Sequence, residues 1–129
     1  MINSNAFNYI NVLDKAADAS WIRNDVIANN IANATTPGYK RQDVDFESEF
    51  RKALKRSRYI SMDDRIADIK TARLNPRTYT DSANFSYRLD GNNVDIETEN
   101  VTLASNQLKY NGLIDCINKE FSNLQMVMK

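Results

Sequence analysis

At 129 residues the chain is long enough for one domain with a modest core. Its 17 basic and 17 acidic side chains cancel, which argues against a dedicated nucleic-acid binder, and the absence of His removes the usual general base and every Ser-His or Cys-His pair. One Cys, three Gly and two Pro exclude an internal disulfide, a CxxC centre and a glycine-rich phosphate loop, so no cofactor or metal is expected.

The first predicted element is a helix over residues 6–34. Ala6, Ile10, Leu13, Ala17, Ser20, Asn24, Ile27, Ile31 and Ala34 follow an alternating 4-3 spacing, which lays one stripe along one helix face. Asn3 or Ser4 is expected to cap its start, and Pro37 followed by Gly38 to end it. Phe46, Phe50, Ala53 and Leu54 then predict a short amphipathic helix from about 46 to 57. Residues 59–84 read as loop, interrupted at Pro76. Phe85, Tyr87 and Leu89 alternate, Asp90-Gly91 follows, and Val94 and Ile96 alternate again, a modest β-hairpin signal. It competes with Asp95 as the N-cap of a last helix over 98–127. There Leu103, Gln107, Tyr110, Ile114, Ile117, Phe121, Leu124 and Met128 repeat the 4-3 spacing, with Gly112 inside.

The fold class expected is therefore mostly α. The terminal helices pair as an antiparallel coiled coil, with Met1 near Lys129, a short middle helix, loops and a small β-hairpin. The first stripe is small and polar in its middle and the second is bulky, so the two backbones can approach closely. Apolar side chains are left over. Val12, Trp21, Ile22 and Val26 lie off the first stripe, and Val101, Leu108, Leu113 and Val127 off the second. With little other chain to cover them, the expected neighbours are further subunits. Charge is uneven as well. Residues 40–77 carry 11 basic and 7 acidic side chains, 1–39 carry 2 and 3, and 78–129 carry 4 and 7. This asymmetry suits head-to-tail contact between copies, and equally contact within one chain.

The segment Ala28-Asn29-Asn30-Ile31-Ala32-Asn33-Ala34-Thr35-Thr36-Pro37-Gly38-Tyr39-Lys40 closely resembles the N-terminal signature of bacterial flagellar rod, hook and hook-associated proteins. Within that family, Arg41 to Glu47, Gly91 to Asp95 and Gln107 to Tyr110 are similar to proximal rod proteins, while the C-terminal end lacks the SRAYEAN-type sequence of the sister proteins. The likeness covers 1–50 and 90–129, and departs at Thr35, where Asn is common. It implies a non-enzymatic structural subunit of the basal body in the cell envelope, exported by the flagellar type III apparatus without a cleaved signal. It also implies helical self-assembly, with other rod proteins and the rod-to-base adaptor FliE as partners, no nucleic acid and no membrane insertion. On this reading residues 1–36 and 95–129 are assembly helices and 37–94 is an irregular middle. The expected assembly interface comprises Asn29, Asn30, Ile31, Asn33, Thr36, Pro37, Gly38 and Tyr39 with Leu108, Tyr110, Ile114, Ile117, Phe121 and Leu124. The residue types alone leave two readings of the motif open: Asn amides that tie one helix end to a neighbour's backbone, or a local C-cap with solvated side chains.

Other candidates carry less. Cys116 lies beside the second stripe and is expected to be a small apolar filler. The cluster Arg51, Lys52, Lys55, Arg56 and Arg58 supports an alternative reading as a small helical nucleic-acid binder, and a helical adaptor protein is another. Asp63, Asp64 and Asp68 have no metal-loop spacing. No apolar run exceeds three residues, so neither a membrane span nor a secretory signal is expected; the chain stays in the cytosol or leaves without cleavage.

Overall fold

The computed structural model describes residues 5–81 and 88–129. In chain order these form α1 (Asn5–Ala32), β1 (Gln42–Asp45), α2 (Glu47–Arg56), α3 (Met62–Asp68), a 3-10 turn (Thr71–Arg73), β2 (Arg77–Thr80) and α4 (Ile96–Val127). Helices α1 and α4 are about 42 and 48 Å long. They run antiparallel: Glu99 near the start of α4 meets Asn30 near the end of α1, Asn106 meets Ser20 and Asn24, and Tyr110 meets Trp21. The predicted N-caps Asn3 and Ser4, and Met1 beside Lys129, lie outside the described residues.

Helix α1 has three working faces. One carries Ala17, Ser20, Asn24 and Ile27 against α4. A second carries Ala16, Ala19 and Arg23 against the middle of the chain, where Ala19, Phe46 and Leu74 form a small core flanked by Ala16, Phe50, Ala53 and Ile69. Val12 and Val26 share this second face and are buried. The expectation that other subunits must cover them is thus corrected: residues 42–74 do so within the chain. The third face is exposed.

The middle is more ordered than its weak periodicity predicts. In the stretch read as loop, Ser61 caps α3 by accepting a bond from the Asp64 N–H, and Ile66 is its one buried anchor. Arg77–Thr80 then pairs antiparallel with β1, Val44 opposite Thr78 and Asp45 opposite Arg77. These elements escape a pattern reading because α3 has one apolar anchor and β2 is exposed along its length. The small antiparallel pair that the structure describes is this one, between β1 and β2. Phe85 and Tyr87 lie outside the described residues, and at Val94 to Ile96 the helix cap wins: Asp95 accepts from the Glu97 and Thr98 N–H groups and starts α4. Those bonds, from the Thr98 hydroxyl first and then from backbone N–H, hold the Asp95 carboxyl below its ordinary value.

The predicted stripe of α4 holds at the half-buried Leu103 but is off by one residue at Gln107. Asn106 is buried and Gln107 is exposed. From Tyr110 onward the stripe holds in part: Tyr110, Ile114, Ile117 and Leu124 are half-buried, while Phe121 and Met128 are exposed. Cys116 is exposed too, contrary to its expected role as filler, because α1 covers this half of α4 from one side only.

Candidate assembly surface

The motif at the end of α1 works mainly inward. Asn30 is fully buried and uses every hydrogen-bonding position of its amide. Its Nδ2 donates to the Gln42 carbonyl (2.7 Å) and to Glu99 Oε2 (3.2 Å); its Oδ1 accepts from the Gln42 N–H (3.0 Å) and the Tyr39 hydroxyl (3.1 Å). Asn30 thus gives β1 the pair of backbone bonds that a neighbouring strand would give. Burial, and then the negative charge of Glu99, raise the Tyr39 hydroxyl above its usual range. Asn33 is local: it donates to the Asn29 carbonyl and accepts from the Thr36 hydroxyl.

A residue absent from the predicted set closes the helix end. Asn92, fully buried, directs its Nδ2 at the carbonyls of Asn33 (2.8 Å), Ala34 (3.1 Å) and Thr36 (2.9 Å), in the turn that follows α1. Arg88 adds a bond to the Ala34 carbonyl, and Gly38 N–H donates to the Asp90 carbonyl. Gly38 and Gly91 both take positive φ, 73° and 76°, and the Gly38 Cα lies 3.7 Å from where a Cβ on Gly91 would sit. The two turns therefore meet through residues that tolerate left-handed backbone.

Two ionic knots tie α1 and α4 to the middle of the chain. Arg41 bonds Glu99 through Nε, Asp81 through Nη1 (2.9 Å) and Asp43 through Nη2 (3.2 Å). Glu99 is 1 % exposed, so its carboxylate depends on these partners. Burial alone would lower the Arg41 guanidinium, but the bonds and charges of Glu99 and Asp43 together outweigh it and the group is held above its ordinary value. In the second knot Arg23 of α1 makes a two-pronged pair with Glu47 (2.9 and 3.0 Å), and Lys109 of α4 bonds the same carboxylate. Burial pushes the Glu47 carboxyl up, but the bonds from Arg23 and Lys109 overcome this and bring it to about 2.

The predicted residues therefore divide. Asn30 is buried, and Ile31, Asn33, Tyr39, Tyr110, Ile114, Ile117 and Leu124 are half-buried within the chain; Asn29, Thr36, Pro37, Gly38, Leu108 and Phe121 are exposed. Beyond Asn106 no residue of α4 is fully buried, and Leu108, Phe121, Met126, Val127 and Met128 are exposed. Trp21 is exposed on α1, its ring 5.9 Å from Tyr110. Among the described residues no cluster of acids and Cys could hold a metal, and no helix is long and apolar enough to cross a membrane. Asp63 instead accepts from Tyr9, and Asp64 from Ser61.

A family model described as flagella basal body rod protein matches residues 10–40, the stretch from the second turn of α1 through the turn that Asn92 closes. The chain is 35 % identical over 116 residues to the flagellar basal body rod protein FlgB of Bacillus subtilis strain 168, covering 90 % of this chain and 89 % of that relative. It is 32 % identical over 114 residues to FlgB of Escherichia coli K12, covering 83 % of each. The chain belongs to the FlgB family. FlgB of Borrelia hermsii is similar as well, 29 % identical over 135 residues. A FlgB-family chain is a structural protein and not an enzyme. Sequence reasoning placed the motif but missed Arg41, Asn92 and Glu99 as its partners. The Gly91-Asn92-Asn93-Val94-Asp95 run was the available signal, since buried Asn suits helix ends.

Proposed function

We propose that this chain is a structural subunit of the bacterial flagellar basal-body rod, polymerising with other rod proteins through its terminal helices, residues 1–36 and 95–129, braced by 37–94. The observation that carries this reading is the part of α4 beyond Asn106, about 30 Å of helix with apolar side chains and no fully buried residue. Such a face gains when a neighbour removes it from water, by about 25 cal/mol per Å². The outward motif residues Asn29, Thr36, Pro37 and Gly38 form a second assembly contact at the other end of the helix pair; Asn30 and Tyr39 act behind it by fixing its shape. FliE is the proposed partner at the base, the location is the cell envelope, and export proceeds without a cleaved signal.

The test is a strain carrying Leu108→Glu with Phe121→Glu. Both side chains are exposed, so the purified chain should keep its circular dichroism spectrum. Expected is normal expression with loss of the chain from isolated basal bodies and loss of swimming. A swimming strain whose basal bodies contain the variant would refute the interface.

A further inference from the structure

The third face of α1 carries its own 4-3 stripe: Phe7, Asn11, Asp14, Asp18, Trp21, Asp25, Ala28 and Ala32. Every one is exposed. Its charged members are all acidic, and Asp14, Asp18 and Asp25 form no ion pair among the described residues. On α2 and the residues after it, Arg51, Lys55, Arg56 and Arg58 are exposed and likewise form no ion pair. Tyr59 and Ile60 beside them are exposed apolar surface, as Trp21 is between the acids. The lengths agree. Asp14 to Asp25 spans about 16 Å of helix, and Arg51 to Arg58 spans about 14 Å of helix and extended chain.

We infer that these two faces bind each other between copies: the acidic α1 stripe of one chain docks on the basic α2 face of the next. This rests on the rod-subunit reading and names one of its contacts. A nucleic-acid phosphate would satisfy the basic face, yet it would be repelled by the acidic stripe on the same molecule. A second copy satisfies both, and leaves one free face of each kind on the pair. A contact between unlike patches passes from copy to copy, and it builds an open helical array when its rotation does not close a ring. The zero net charge allows close approach of copies, and the segregation of charge decides how they meet.

The experiment uses the full chain in sedimentation velocity at rising concentration, in about 50 mM and about 500 mM NaCl. Two variants are compared with it, Asp14→Lys/Asp18→Lys/Asp25→Lys and Arg51→Glu/Lys55→Glu/Arg58→Glu, all at exposed positions. Expected is self-association at low salt that is lost at high salt, weakened at least about tenfold in each variant alone, and restored when the two variants are mixed. The contact is overturned if the wild type stays monomeric, if either variant associates as the wild type does, if the mixture stays apart, or if association stops at a closed dimer. Retention of DNA at low salt without self-association would assign the basic face elsewhere and also overturn it. The two readings fail separately. Silent charge variants with loss of the Leu108/Phe121 variant from basal bodies sink only this contact. Restored mixing by a chain that never enters basal bodies sinks only the rod assignment.

Discussion

Removing the Arg41 side chain tests the junction most directly. In Arg41→Ala the Glu99 carboxylate keeps Asn30 Nδ2 at 3.2 Å but loses the one cation it pairs with among the described residues, while 1 % exposed. Asp81 also loses its bond from Arg41 Nη1, and Asp43 keeps Arg23 at 3.3 Å. Breaking a buried ion pair from one side costs about 3–5 kcal/mol, against about 5–15 kcal/mol for the whole stability of a typical domain. The expected result at pH 7 is a fall of roughly 3 kcal/mol in urea unfolding followed by circular dichroism. One control separates stranded charge from lost packing. Glu99→Gln in the Arg41→Ala background removes the charge but keeps an amide for Asn30, so it should recover about 1–2 kcal/mol. A loss within about 1 kcal/mol of that of the exposed Arg51→Ala, or no recovery on adding Glu99→Gln, would refute the dependence of Glu99 on Arg41.

Asn92→Ala strips three carbonyls at the end of α1 of their shared donor; expected is a loss of about 1–3 kcal/mol and faster amide hydrogen exchange across Ala34 to Gly38, with the middle of α1 unchanged. Ile27→Ala empties a fully buried site facing α4 and should cost about 2–5 kcal/mol in the same unfolding assay. Glu47, lowered from 4.5 to about 2, contributes stability that is fully present above about pH 4.5 and lost as pH falls towards 2. Because its side chain is 42 % exposed, screening reduces that step to about 1 kcal/mol, and Glu47→Gln should flatten it in melting curves taken across this range.

The long helices were legible because periodicity over some 30 residues outweighs any one exception; the polar Ser20 and Asn24 did not hide α1. Asp95 was legible as a cap because its chemistry is local. What stayed hidden depended on partners remote in sequence. Gln107 fits the 4-3 count as well as Asn106 does, but Asn106 takes the buried place because its amide reaches the Ser20 carbonyl and Asn24 Oδ1, both at 2.8 Å. The strand at Arg77–Thr80 has no buried face to produce alternation, and its pairing with β1 bridges more than thirty residues. The two readings of the motif's Asn residues differ only in where the partner lies. For Asn30 the answer is Gln42 and Glu99 of the same chain, which no local pattern encodes.

A junction made of hydrogen bonds does something that an apolar one would not. Two long helices in apolar contact can slide at modest cost, because one methyl contact replaces another. A one-residue slip of α4 would turn its faces by about 100° and carry Glu99 away from Asn30 and Arg41, leaving a carboxylate and an amide buried without partners. The same slip would remove Asn106 from Ser20 and Lys109 from Glu47. Four polar contacts spaced along the pair therefore reject the neighbouring registers together. The outcome is a fixed angle between the α1 stripe that carries Trp21 and the α4 face that carries Leu108 and Phe121. For a subunit whose neighbours must meet both faces at once, the inward motif sets the geometry and the outward residues make the contact.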